Sequence, residues 1–371
     1  MPDLKLYVAG GCEEHGRNCF LVRFADRAVL FDCGVLHDGD LVLDPLLDAR
    51  MVRDIGWAFI SHSHAGHAGA VGFLESLGFS GTYVMTGRTY SQLGSVPSRC
   101  RIIDGEGEPL VQERLDAGLT FRWGWSGHCA GSAWYQVAMD GGTVLFTGDY
   151  SERSPVYPCT PIRSLEADLA IIDCAGGVEE QHSYDEQVAL LLGVVGANLQ
   201  ADITMVFPVP PQGRGIELMA LIHDRFPDAG LFASEALVWQ AASSLALADV
   251  RIRSSKEAWN YKGSGHGCCV FLSDPQFRPK VIDFSTRLVE RCSVILTGTV
   301  EKDGPYADLL KTGRAVFCRY PTHQRLSDVH ALAEQNRFST VLLADAPAGA
   351  FDHVLGSGRY AVCQSGTGMV L

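Results

Sequence analysis

The chain has 371 residues, 47% hydrophobic and 20% charged, with a formal net charge of −13. That length holds one large or two ordinary domains, and the acidic balance argues against broad nonspecific binding to nucleic acid while leaving room for a local basic groove. No apolar run approaches a membrane span, no signal peptide is evident at the N-terminus, and 12 cysteines without a C-x-x-C pair suit reduced thiols in a cytoplasmic protein rather than a zinc knuckle.

Leu4–Ala9 reads as a first strand, and the Gly-rich turn Gly10-Gly11-Cys12-Glu13-Glu14-His15-Gly16-Arg17-Asn18 leads into a second. Cys19–Phe24 and Arg27–Phe31 pair as a hairpin across Ala25-Asp26, and the second of them runs into Asp32. Ala58-Phe59-Ile60 has the length and character of a buried strand. It delivers His62, His64 and His67, after which Gly66 and Gly69 allow a tight turn into a helical stretch, Ala68 to Leu77. Neutral imidazole is the commonest metal ligand, so this stretch suggests a metal cradle. Taken alone, it also suits a solvated, histidine-rich turn.

Thr82–Met85 reads as a strand, Gly87–Leu93 as a short helix and Cys100–Ile103 as another strand. His128 lies between apolar strands at Leu119–Trp125 and Ala133–Met139, the next strand ends in Asp149, and Asp168–Ile172 runs into Asp173. Strand ends thus carry Asp32, then His62/His64/His67, His128 and Asp149 in order, which favours the cradle. Ser183 and Glu186 form a capping box that opens a helix to about Ala197.

From there to about residue 313 the pattern is α/β, with strands at Ile203–Phe207, Cys268–Leu272 and Ser293–Leu296 and helices at Arg214–Phe226 and Glu235–Leu247. Arg214 sits where its guanidinium and a helix N-terminus both meet phosphate, or where it simply caps its neighbourhood. Ala315–Tyr320 is then a strand, Pro321 to Asp328 carries His323, a helix runs to Arg337, and Ser339–Ala344 is the last clear strand, ending at Asp345.

The histidine cluster, His128 and Asp149 together resemble the metallo-β-lactamase fold, whose metal motif is His-x-His-x-Asp-His followed by a single His and a bridging Asp. The opening G-G-x-x-E-x-G-R-N-C, the stretch Asp202 to Ile222 and the stretch Val294 to Leu310 resemble the β-CASP nucleases, the branch that includes ribonuclease J and the pre-mRNA 3′-end endonuclease. The resemblance runs to about Phe351. It implies an α/β fold: an αββα metallo-β-lactamase sandwich (1–182 and 314–371) with an inserted α/β β-CASP domain (183–313).

Carried over residue by residue, the resemblance makes His62, His64 and His128 ligands of a first zinc, with Asp149 bridging to a second metal held also by His67. Asp32 supports these ligands from behind, His323 is the general acid with Asp173 orienting it, and Arg214 and Ser132 contact substrate. Two positions depart from the pattern. Gly66 stands where an aspartate ligand is expected, and Asp345 where a histidine is expected. Either Asp345 restores a second site, one that also suits manganese, or only one metal remains.

The implied function is a metal-dependent phosphodiesterase or nuclease hydrolysing RNA or single-stranded nucleic acid in the cleft between the two domains. Its main rival is a catalytically impaired homologue, acting as a nucleic-acid-binding or scaffold subunit with a protein partner or as a homo-oligomer. No membrane partner is expected. A thioesterase or lactonase fits less well, because the long insert, Ser183 to Gly313, argues against enzymes that usually keep the metal cleft open.

Overall fold

In the computed structural model, which describes residues 4–25, 27–38, 41–105, 107–178, 182–260, 267–273, 292–300, 305–347, 349–354, 356 and 358–371, the chain divides into two units. The first comprises Met1–Arg153, Tyr157–Glu179 and Thr322–Leu371, and the second Ser154–Val156 and Glu180–Pro321.

The apolar segment Cys19–Phe24 shows how the first unit is layered. Phe20, Val22 and Phe24 face one core, while Cys19 and Leu21 face another on the opposite side of the strand. A strand covered on both faces reads as a continuous apolar run, as this one does. It belongs to a seven-stranded sheet ordered Thr367–Val370, Leu4–Gly10, Cys19–Phe24, Arg27–Phe31, Ile55–Phe59, Thr82–Met85, Cys100–Ile102. In the hairpin, Phe24 pairs with Arg27; Asp26 in its turn lies outside the described residues. Residues 301–304, part of the stretch that closes the β-CASP resemblance, lie outside them too.

A second seven-stranded sheet is ordered Tyr360–Ala361, Arg337–Ala344, Glu166–Asp173, Gly142–Phe146, Ala133–Met139, Leu119–Trp125, Glu113–Asp116. The two sheets share one core. The Phe146 ring lies 5.8 Å from Phe20 and 5.3 Å from Phe31, and Phe59 lies 5.8 Å from Phe121 and 5.2 Å from Tyr135. Helical residues Ala68, Val71 and Leu74 pack on the far face of the first sheet, and helix Leu326–Glu334 packs on strand Arg337–Ala344 of the second. The order is αββα. Truncating Phe146 to alanine at this inter-sheet contact should destabilise the protein by about 3–5 kcal/mol, read as a lower urea midpoint with an unchanged slope.

Several elements differ from their sequence expectation. The helix expected over Ala68–Leu77 is two short ones, Ala65–Ala68 and Val71–Ser76. Cys33 separates them, because its carbonyl takes the Ala70 N–H and its N–H donates to the His67 carbonyl. The helix expected to reach Arg337 stops at Glu334. There Asn336 turns the chain into the next strand, its Oδ1 accepting from Leu165 N at 2.8 Å and its Nδ2 donating to Ile162 O at 3.1 Å. Ser339–Ala344 is not the last strand, since Tyr360–Ala361 and Thr367–Val370 each add an edge to a sheet.

The second unit holds a six-stranded, wholly parallel sheet ordered Ile252–Ser254, Gly230–Ala233, Cys268–Ser273, Thr204–Val209, Cys292–Leu296, Ala315–Phe317. Strand Ala315–Phe317, expected in the returning segment 314–371, pairs instead with Cys292–Leu296 in this unit. Helix Tyr184–Gln200 opens on the Ser183/Glu186 capping box. The helix expected over Glu235–Leu247 ends at Ala242, and a 3₁₀ turn follows at Leu245–Leu247, because serines 243 and 244 favour local side-chain-to-backbone bonding over helix. Among the described residues no helix is long and apolar enough to cross a membrane.

Candidate metal centre

The site is built at strand ends of the first unit, and Asp32 organises it. This residue follows strand Arg27–Phe31, is fully buried and has a left-handed backbone, φ 55°. Its Oδ1 accepts from Ser61 N at 2.7 Å, and its Oδ2 accepts from Ser61 Oγ and His67 Nδ1, each at 2.7 Å. Because the Ser61 hydroxyl donates to Asp32, it accepts from His62 Nδ1, 3.0 Å away. His128 Nδ1 donates to the Thr322 carbonyl at 3.2 Å. These outer partners assign the tautomers of His62, His67 and His128, so that each Nε2 turns its lone pair inward.

Four of the inward atoms meet. His62 Nε2 lies 3.0 Å and His128 Nε2 3.3 Å from His64 Nδ1. Asp149 Oδ2 lies 3.4 Å from His62 Nε2 and 3.2 Å from His128 Nε2. A tetrahedral zinc with bonds of about 2.0–2.1 Å sets its ligand atoms roughly 3.3–3.4 Å apart. The donor set and its spacing therefore fit that ion.

A second group adjoins the first through the same carboxylate. Ligand atoms of His67, Asp149 and Asp345 lie within 4.8 Å of one another. Asp149 Oδ1 is buried and accepts no hydrogen bond, and His67 Nε2 faces it at 3.2 Å. Burial works against a charged His67, yet Asp149 and Asp32 on its two sides outweigh burial and raise it well above an ordinary imidazole. Asp149, though burial opposes its charge, is held well below the carboxylate range by His67, His323, His128 and His62. One imidazole and two carboxylates, from His67, Asp149 and Asp345, make a donor set that fits a cation there too.

His323 and Asp173 stand beside this pair of groups. His323 Nδ1 is 3.3 Å from Asp173 Oδ2 and 3.8 Å from Asp149 Oδ2. Asp173 is fixed by Tyr150 N, Gln324 N and Ala175 N. Strand register places Asp173 opposite Ala344, so the next residue, Asp345, emerges at the adjoining strand end.

Not every expected site residue joins the cluster. Ser132 is buried, and its hydroxyl accepts from His128 N and Cys129 N and donates to Cys129 O. It holds the turn that aims His128. Arg214 lies in the second unit as the first residue of helix Arg214–Arg225, with its guanidinium against Gly298.

Two further residues were not singled out in the sequence. His15 Nδ1 lies 3.0 Å from Asp345 Oδ2, and the carboxylate raises this imidazole to about 9. Asn18 is buried with its Nδ2 3.3 Å from His67 Nε2. Both belong to the Gly-rich turn, whose residue spacing was the only available signal.

Residues 13–171 match the family model described as the Metallo-beta-lactamase superfamily. Cleavage and polyadenylation specificity factor 73 of Drosophila melanogaster is 25% identical over 255 residues, covering 61% of this chain and 37% of that protein. Endoribonuclease ysh1 of Emericella nidulans is 26% identical over 252 residues, covering 60% of this chain and 28% of its own. The match thus spans about a third of the length of these curated relatives. A crystal structure of a protein of unknown function from Enterococcus faecalis V583 shares the fold across 100% of both chains, with a TM-score of 0.63 and 13% identity. Residues 13–171 are therefore similar to the Metallo-beta-lactamase superfamily, and about 60% of the chain is similar to cleavage and polyadenylation specificity factor 73 and the ysh1 endoribonuclease.

Proposed function

We propose that this protein is a metal-dependent phosphodiesterase that hydrolyses RNA, or single-stranded nucleic acid more broadly. The observation that carries the reading is Asp149, one buried carboxylate shared by three converging donor groups and left with an oxygen that accepts no hydrogen bond. His62, His64, His128 and Asp149 would hold zinc, while His67, Asp149 and Asp345, with two carboxylates, suit zinc or the harder manganese. Cations bound there supply Lewis-acid stabilisation of a phosphoryl oxygen and a more acidic water. Asp32 and Ser61 hold His62 and His67 in the tautomers that present Nε2. Asp173 holds the His323 ring by Nδ1, leaving Nε2 to give a proton to the departing oxygen as a general acid. Arg214, opening a helix of the second unit, is proposed as a phosphate contact.

The names of the two relatives favour RNA over DNA. All 12 cysteines are unpaired, which fits a reducing compartment such as the cytoplasm. Gly66 favours a second reading, in which an impaired homologue binds nucleic acid or scaffolds a protein partner. The test is the purified protein on end-labelled RNA and single-stranded DNA, with manganese or zinc and then with chelator. Cleavage that requires metal is expected. Intact binding of RNA without cleavage under any metal would transfer the case to the scaffold.

A further inference from the structure

Gly66 leaves the second donor group without the aspartate that the metal motif places there, and the fold crowds the position. A Cβ on Gly66 would lie 3.0 Å from Gly16 Cα, which is backbone. The turn that carries Gly16 is bonded down over the helix start, with Asn18 N donating to Gly66 O at 2.8 Å and Arg17 N to Val35 O at 3.0 Å. Glu14 braces the same turn, accepting from Gly11 N at 2.9 Å and from Arg17 Nε and Nη2 at 3.0 and 2.7 Å. An aspartate at 66 would require this braced segment to give by a few tenths of an ångström.

The same turn reaches the other departed position. Gly16 N donates to Asp345 Oδ1 at 2.5 Å, and His15 Nδ1 lies 3.0 Å from Asp345 Oδ2. Asp345 holds a left-handed backbone, φ 53°, with its own N–H bonded to Gly11 O at 2.7 Å. Such a conformation persists in a non-glycine residue only where its surroundings impose it. A carboxylate offers about four lone-pair sites. Gly16 and His15 occupy one on each oxygen, which fixes the plane of the group and leaves lone pairs for a cation beside His67 and Asp149. The His15 side chain is 59% exposed, so its place over Asp345 is not a consequence of core packing.

We propose that His15 is the positioning residue of the second cation site: by holding the Asp345 carboxylate toward His67 and Asp149, it compensates for the missing side chain at 66. The inference rests on the two-cation form of the proposed function. Partners that orient a metal ligand typically contribute ~10–100-fold to metal affinity.

The test uses the full chain loaded with one equivalent of zinc and titrated with manganese, the free ion being read by electron paramagnetic resonance. Wild type is expected to take up one manganese. His15→Ala should weaken that uptake ~10–100-fold with the zinc retained, and His15→Gln, whose amide still donates to the carboxylate, should recover most of it. Asp345→Ala should lose it. Manganese uptake by His15→Ala at wild-type affinity would overturn the role of His15 and leave the two-cation reading standing. No uptake by wild type would overturn the second site itself, and this inference with it, while the zinc content still reports on the first site.

Discussion

Asp149→Ala is expected to release bound metal and to lower the hydrolysis of labelled RNA by more than the ~10–100-fold that loss of an outer metal partner produces. One carboxylate serves the donor groups of His62, His64 and His128 and of His67 and Asp345, and a third with Asp173 and His323. Its Oδ2 lies within 3.4 Å of His62 Nε2 and 3.2 Å of His128 Nε2, and its Oδ1 within 3.2 Å of His67 Nε2. Without it the first group keeps three imidazoles and no anion, and the second keeps one imidazole and one carboxylate. Imidazoles crowded this closely without their carboxylate bind a dication less well and repel one another when protonated. Metal content by mass spectrometry and single-turnover cleavage check the result, with Asp149→Asn as a variant that keeps the shape. Wild-type metal content in Asp149→Ala would remove the residue from the site.

His323→Ala should lower single-turnover cleavage by ~10²–10⁴-fold, the usual contribution of a general acid, and should leave zinc content and RNA affinity close to wild type. The ring forms a third donor group with Asp149 and Asp173, its Nδ1 standing 3.8 Å from Asp149 Oδ2 and 3.3 Å from Asp173 Oδ2. Asp173→Asn should also lower the rate, because an amide nitrogen would replace one of the two oxygens that accept from Tyr150 N, Gln324 N and Ala175 N and hold the His323 ring. A substrate with a leaving group that needs no protonation should restore most of the rate in His323→Ala. A uniform loss on both substrates would refute the acid role.

The two departures from the metal motif also show why a side chain cannot simply be put back. From the sequence, restoring an aspartate at 66 is an obvious way to strengthen the second site. The structure argues against it, because Gly16 backbone stands 3.0 Å from where the new Cβ would be.

Much of the site was legible in the sequence because its signals are local. An apolar run of strand length followed by His or Asp names a strand end, and Arg27–Phe31, Ile55–Phe59, Leu119–Trp125, Gly142–Phe146 and Glu166–Asp173 all form as strands with those residues at or just beyond their ends. The Ser183/Glu186 capping box is likewise complete within four residues and is present in the structure. What the tertiary structure decided depends on partners with no local trace. Ser132 is named in the sequence only through the resemblance, whereas in the structure its hydroxyl accepts from His128 N and Cys129 N. The apolar stretch after His67 reads as one helix until Cys33 takes its middle N–H. Gly16 meets Asp345 across 329 positions of sequence, and a hydrogen bond at that separation leaves no periodicity or spacing in either segment. Hydrophobic patterning and capping chemistry therefore determined where the donors emerge. Only the pairing of distant strands and turns decided which donors converge, which one is held by His15, and which position, Gly66, is crowded by backbone.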